Sequence, residues 1–178
     1  MAIMAICSLG KDLLRTTTCG YSLPEVKDIY LANYADVLKT SGETDASGCT
    51  ELTSITLDEG AQFYHIEPAK NSVTFTDELV VEDNGNKYRT HTLSFTVAGT
   101  YDKCMVGVLD GLSLGRYFCV VVTADGQWLA LGRIGGLEAE TATLQGGGDT
   151  NGMQIVLSGN VTEPAIPLND AAIAVVTG

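Results

Sequence analysis

Between Ser72 and Val97 the chain carries two arms of period-two sequence joined by Asp83-Asn84-Gly85, and no other segment constrains the fold as much. Side chains alternate along a strand, so the first arm sets Val73, Phe75, Leu79 and Val81 on one face and Ser72, Thr74, Thr76, Glu78 and Glu82 on the other. The segment reads as a long, half-buried β-hairpin. Its register follows from its faces. A turn made of Asn84-Gly85 alone would set Phe75 opposite Ser94 and Leu79 opposite Thr90, mixing the faces. A loop of Asp83-Asn84-Gly85 with Gly85 left-handed instead sets Phe75 against Leu93, Val73 against Phe95 and Asp77 against His91. The second register is predicted, with an apolar base and a mixed tip where Arg89 and Lys87 face Leu79 and Val81. Such an arm is longer than a compact domain of this size needs, which suggests a part that assembles with copies of itself.

At 178 residues, 45% of them hydrophobic, the chain can build one good core and a small appendage. Twenty glycines, only 18% charged residues and short runs rich in Val, Thr and Tyr favour strands and turns over helices. A formal charge of -12 argues against a protein that grips nucleic acid by its phosphates. The N-terminus shows no basic stretch followed by an apolar core, so synthesis and folding in the cytoplasm are expected. No apolar run approaches the roughly 18 residues of a membrane helix, and a soluble protein is expected. The cysteines at 7, 19, 49, 104 and 119 have no CxxC spacing and no paired histidines, which favours buried reduced thiols over a zinc site or a disulfide framework.

Residues 1–50 form the least regular part and are read as an N-terminal arm, with 51–178 as the main domain. Within the arm one strand is predicted at Val26 to Asn33, and Ser41 to Gly48 as a solvated loop. Further strands are expected at about Glu51 to Leu57, Gln62 to Glu67, Arg116 to Thr123, Gln127 to Ile134, Met153 to Asn160 and Ala171 to Thr177. Tyr117 to Val122 is apolar on both faces and marks a central buried strand. Met105, Val108, Leu109 and Leu112 recur at helical spacing, so one short helix is predicted over Lys103 to Leu114, with Thr100 and Asp102 as caps and Gly115 ending it. Gly135 to Asn151 reads as an open loop. The resulting fold class is mainly β: an antiparallel β-sandwich or barrel with one short α-helix and a long β-hairpin.

Chemical motifs are sparse. Gly111-Leu-Ser-Leu-Gly115 matches the GxSxG nucleophile elbow, but that motif needs a strand before the serine, a helix after it and a histidine downstream. Here a helix precedes, a strand follows, and His65 and His91 lie upstream, so Ser113 is read as structural and the chain as not an enzyme. Asp77 and His91 are read as a cross-strand ion pair. Glu138 and Glu140 lack the setting of a glycosidase dyad, and Asp149-Thr-Asn-Gly152 lacks the last ligand of a calcium loop. Trp128 is expected in packing. No metal or cofactor is expected.

The order of parts, a long hairpin, one short helix, a tight hairpin, a loop and closing strands, resembles that of the tail tube proteins of tailed bacteriophages. Arg116-Tyr-Phe-Cys-Val-Val-Val-Thr-Ala-Asp-Gly-Gln-Trp-Leu-Ala-Leu-Gly132, followed by Gly146-Gly-Gly-Asp-Thr-Asn-Gly-Met-Gln-Ile-Val-Leu157, is also similar to small tail proteins. The resemblance covers roughly residues 50–160. It implies rings of six subunits stacked into a tube, hairpins lining a channel, DNA passing without specific binding, other tail proteins as partners and no membrane. The location implied is the virion tail, after assembly in the host cytoplasm. Under it, Glu78, Glu82 and Asp83 are candidates for lumen or ring contacts, and Val73, Phe75, Leu93 and Phe95 for an apolar interface covered on assembly. A head-tail adaptor, tail terminator or capsid decoration protein is the stronger alternative, and a secreted carbohydrate-binding or adhesion module the weaker.

Overall fold

The run from Tyr117 to Val122 is buried at every position because it has a core on each of its faces. The computed structural model in which this is seen describes residues 25–46, 48–99, 103–147 and 151–178, with side chains throughout except at Lys103 and Cys104. In chain order the strands are β1 (Val26–Asn33), β2 (Val37–Thr44), β3 (Thr50–Leu57), β4 (Tyr64–Ile66), β5 (Thr74–Val81) and β6 (Lys87–Ala98). After α1 (Lys103–Leu114) come β7 (Arg116–Thr123), β8 (Trp128–Leu131), β9 (Leu137–Gln145), β10 (Gly152–Val161) and β11 (Ile166–Pro167), and α2 (Asp170–Thr177) closes the order. The fold is mainly β, antiparallel and sandwich-like.

One sheet runs β11-β8-β7-β9-β10-β6-β5, with β1 and β4 added on the other edge of β7. It curls so that Ile29 and Leu31 of β1 and Cys119 and Val121 of β7 share a core with Leu93 and Phe95 of β6 and Ile155 and Leu157 of β10. The alternate residues Phe118 and Val120 point the other way, into a second core with Leu52 and Ile55 of the β2–β3 ribbon and Ala172 and Val176 of α2. Each fully buried side chain of this size contributes about 1.5–3 kcal/mol relative to an exposed one. The double-faced apolar pattern of β7 is therefore the sequence trace of a strand sandwiched between two layers.

The hairpin takes the predicted register, with Phe75 opposite Leu93, Asp77 opposite His91 and Val81 opposite Lys87. Gly85 turns it at φ +86. Strand β1 coincides with the predicted Val26 to Asn33.

Other expectations are corrected. The closing segment is helical rather than extended. Asn169 caps α2 by accepting the Ala172 N–H at 2.9 Å, and Ala172 and Val176, one turn apart, supply its buried stripe. There are thus two α-helices, not one, among the described residues. The loop expected over Gly135 to Asn151 contains β9, paired along β10. A bulge at Glu140 shifts the register, so Ala139 pairs with Leu157 and Ala142 with Ile155, and the flip of parity interrupts the strand's alternation. Ser41 to Thr44 belongs to β2, hydrogen-bonded to β3, rather than to a loop. Much of the expected irregular arm is in these strands: β1 lies beside β7, and β2 beside β3.

Helix α1 has its predicted span, but Val108 lies on its exposed side, with Leu109 buried and Leu112 packed on the core. Gly115 does not adopt the left-handed cap conformation. Its role is close approach: a Cβ there would lie 2.1 Å from the Tyr117 hydroxyl, which donates to the Gly111 carbonyl at 3.2 Å. Gly107, by contrast, has open space around a would-be Cβ. Gly107→Ala is expected to stabilise the protein by about 0.5–1 kcal/mol through helix propensity. Gly115→Ala is expected to destabilise it, and opposite shifts in thermal midpoint check both.

Candidate functional site

Strand β5 is the last strand of the sheet path and is hydrogen-bonded on one side only, to β6, among the described residues. At its base Val73 and Phe75 are half-buried against the core. Beyond Asp77 the hairpin leaves the body of the domain, and the face that was inward becomes exposed. Leu79 and Val81 are 52% and 57% exposed as a result. Glu78, Glu82 and Asp83 are exposed beside them, so the tip is an apolar pair within an acidic rim.

Leu93 and Phe95, expected at an interface, are fully buried inside the chain. The reason is parity: on β6 they share a face with His91, and that face is covered by the curled sheet. The exposed apolar residues of the hairpin lie nearer its tip than expected.

At the hairpin base the Asp77–His91 pair is part of a larger polar cluster. Arg89 Nε donates to Asp77 Oδ1 at 2.5 Å, and the Ala165 N–H donates to Asp77 Oδ2 at 2.9 Å. Burial acts to raise the Asp77 carboxyl, but the Arg89 and Ala165 hydrogen bonds with the neighbouring positive charge outweigh it and hold the carboxyl below the ordinary aspartate value. His91 is 1% exposed. Its Nδ1 accepts the Gly132 N–H at 3.1 Å, while Nε2 lies 3.3 Å from Asp77 Oδ1, outside hydrogen-bonding geometry. Burial lowers the His91 pKa despite the carboxylates of Asp77 and Glu163 nearby. An imidazole whose Nδ1 accepts a backbone N–H is neutral, with its proton on Nε2.

The adjacent pair was not anticipated from sequence. Arg133 Nε donates to Glu163 Oε1 at 2.5 Å and Nη2 to Oε2, a bidentate bridge, while Nη1 donates to Thr40 at 3.1 Å. The two side chains are only 4% and 7% exposed. The available signal was single charges set in apolar surroundings, Arg133 after Trp128 to Leu131 and Glu163 before Ile166.

The other sequence candidates are dispersed. Ser113 donates to the Leu109 carbonyl one turn back at 3.0 Å, as serines within helices do. Glu138 pairs with Arg116 (Nε to Oε1, 2.6 Å). Trp128 stacks on Tyr30, and Tyr30 on His65, with ring centroids 5.5 and 4.7 Å apart, so its ring is engaged within the chain. Cys119 is buried, and burial pushes its thiol far above the usual range, but Cys49 is exposed, contrary to expectation. Cys7, Cys19, the Cys104 side chain, Thr100, Asp102 and Asp149 lie outside the described residues.

Beneath α1 opens a groove of about 800 Å³, lined mainly by Leu31, Ile66, Val97, Met105, Leu109 and Tyr117. Among the described residues no three His, Cys, Asp or Glu side chains converge as a metal site requires. No helix among them is long and apolar enough to cross a membrane.

Fold and surface together define the chain as an antiparallel, sandwich-like β protein with a projecting hairpin. Comparison with protein-family models, with curated proteins and with solved structures finds no match in any of the three.

Proposed function

We propose that this chain is a structural subunit that assembles with copies of itself into rings, stacked around a channel for DNA as in bacteriophage tail tubes. The observation that carries this reading is the hairpin: an edge strand with one side unpaired among the described residues, ending in exposed Leu79 and Val81 among Glu78, Glu82 and Asp83. An open edge with apolar residues at its end is a surface that self-association covers. The charge of -12 fits a wall past which DNA slides without phosphate contacts to hold it. In this reading Glu78, Glu82 and Asp83 face the bore or the next ring, and the subunit works in the virion tail with other tail proteins, without catalysis, cofactor or membrane.

Negative-stain electron microscopy over a concentration series tests it. Stacked rings or tubes with a central channel are expected. Isolated rings point to an adaptor, terminator or decoration protein, and dispersed monomers sink the self-assembly reading. Leu79→Ser with Val81→Ser is expected to abolish assembly while leaving the folded monomer intact by circular dichroism. If Glu78→Lys with Glu82→Lys leaves assembly and DNA delivery unchanged, those carboxylates do not line the bore.

A further inference from the structure

The turn that follows β8, Gly132 to Gly136, has left-handed backbone at Gly132, Gly135 and Gly136 and is tied to its surroundings by its backbone N–H groups and by Arg133. The Gly132 N–H donates to His91 Nδ1 at 3.1 Å, the Gly135 N–H to the Tyr34 hydroxyl at 2.9 Å, and Arg133 reaches Glu163 and Thr40. Only the first of these joins the turn to the hairpin strand β6, and its acceptor is a nitrogen that can take up a proton.

The geometry points to an acid-sensitive latch, in which protonation of His91 at Nδ1 releases the glycine-rich turn Gly132–Gly136 from β6. A protonated Nδ1 is a donor, so it and the Gly132 N–H would face each other as two donors in a site with no water access, since His91 is 1% exposed. The charged groups around the ring come from every side. Asp77 on β5 lies 3.3 Å from Nε2, Arg89 on β6 is bound to that same Asp77 oxygen, and Glu163 ahead of β11 is held by Arg133 of the turn itself. β10, which pairs with β6 here, contributes only Gly159 opposite His91. Asp77 and Glu163 favour the imidazolium, but both are already engaged with arginine, and neither replaces the acceptor that Gly132 loses. The closed turn thus requires neutral His91.

The direction with pH follows. Burial lowers the His91 pKa in the closed form, whereas in an opened form the ring returns to about 6.5. The closed form is fully favoured above about pH 6.5. Below it, the open population rises about ten-fold per pH unit until the closed-form pKa is reached. This latch does not depend on what the hairpin tip contacts.

The test follows the full chain, labelled with 15N histidine, from about pH 7.5 to 5, with amide hydrogen exchange corrected for its intrinsic pH dependence. At the upper end the ring is expected to be neutral with its proton on Nε2. On acidification Gly132 should lose protection in step with protonation of His91, while amides of β7 keep theirs. His91→Asn, whose carbonyl accepts at any pH in this range, should remove the pH dependence even if it lowers overall stability. The proposal fails if His91 stays neutral and Gly132 protected at about pH 5, if Gly132 opens only together with β7, or if the dependence persists in His91→Asn.

Discussion

Arg133→Ala is expected to lower folding stability by about 3–5 kcal/mol, a large share of what a domain of this size possesses. The substitution leaves the Glu163 carboxylate 7% exposed with its bidentate partner gone. The cost is that of an uncompensated buried charge rather than of a lost attraction. Replacing both partners, Arg133→Met with Glu163→Leu, should therefore recover most of the loss. The exposed pair Arg116–Glu138, with side chains 53% and 57% exposed, is the control: Arg116→Ala should cost no more than about 1 kcal/mol. Urea denaturation midpoints of the four proteins decide the matter. Equal costs for Arg133→Ala and Arg116→Ala would mean that water reaches the Arg133 pair.

Phe95→Ala is expected to cost about 3–5 kcal/mol as well, for a different reason. Phe95 is fully buried where the curled sheet closes on itself, among residues from β1, β6, β7 and β10, and its removal leaves a cavity that surrounding strands cannot collapse into. Leu79→Ala, at the exposed tip, should change monomer stability by no more than about 0.5 kcal/mol. The pair separates core from surface on one hairpin. Denaturation of Phe95→Ala should show a loss independent of protein concentration. A loss that appeared only where the protein associates would return Phe95 to an interface.

The hairpin was legible in sequence down to its register because one face of each arm is apolar and a one-residue slip would invert both. The helix over Lys103–Leu114 was legible by its period, and the central strand by a run apolar at every position. The segments that escaped share a property: their local pattern was ambiguous or interrupted. In β9 the bulge at Glu140 changes which residues share a face. In α2, Ile173, Val175 and Val176 read as strand, while the Asn169 cap and the stripe Ala172 and Val176 have meaning only against the second core.

For the candidate surface the division is similar. The acidic residues Glu78, Glu82 and Asp83 could be placed at the exposed tip from alternation and turn position alone. Which apolar residues stay uncovered could not, because alternation says that Phe75, Leu79, Leu93 and Phe95 belong to one face but not how far along the hairpin the rest of the domain extends. The sequence by itself determined the two strands of the hairpin, their register and the polarity of each face, since these depend on neighbours within a few residues. Only the tertiary structure decided that the sheet curls over Leu93 and Phe95, leaves Leu79 and Val81 bare, and brings His91 to Gly132 and Arg133 to Glu163. Those contacts join residues tens of positions apart, and burial of a charge or a ring is set by everything packed around it rather than by the strand that carries it.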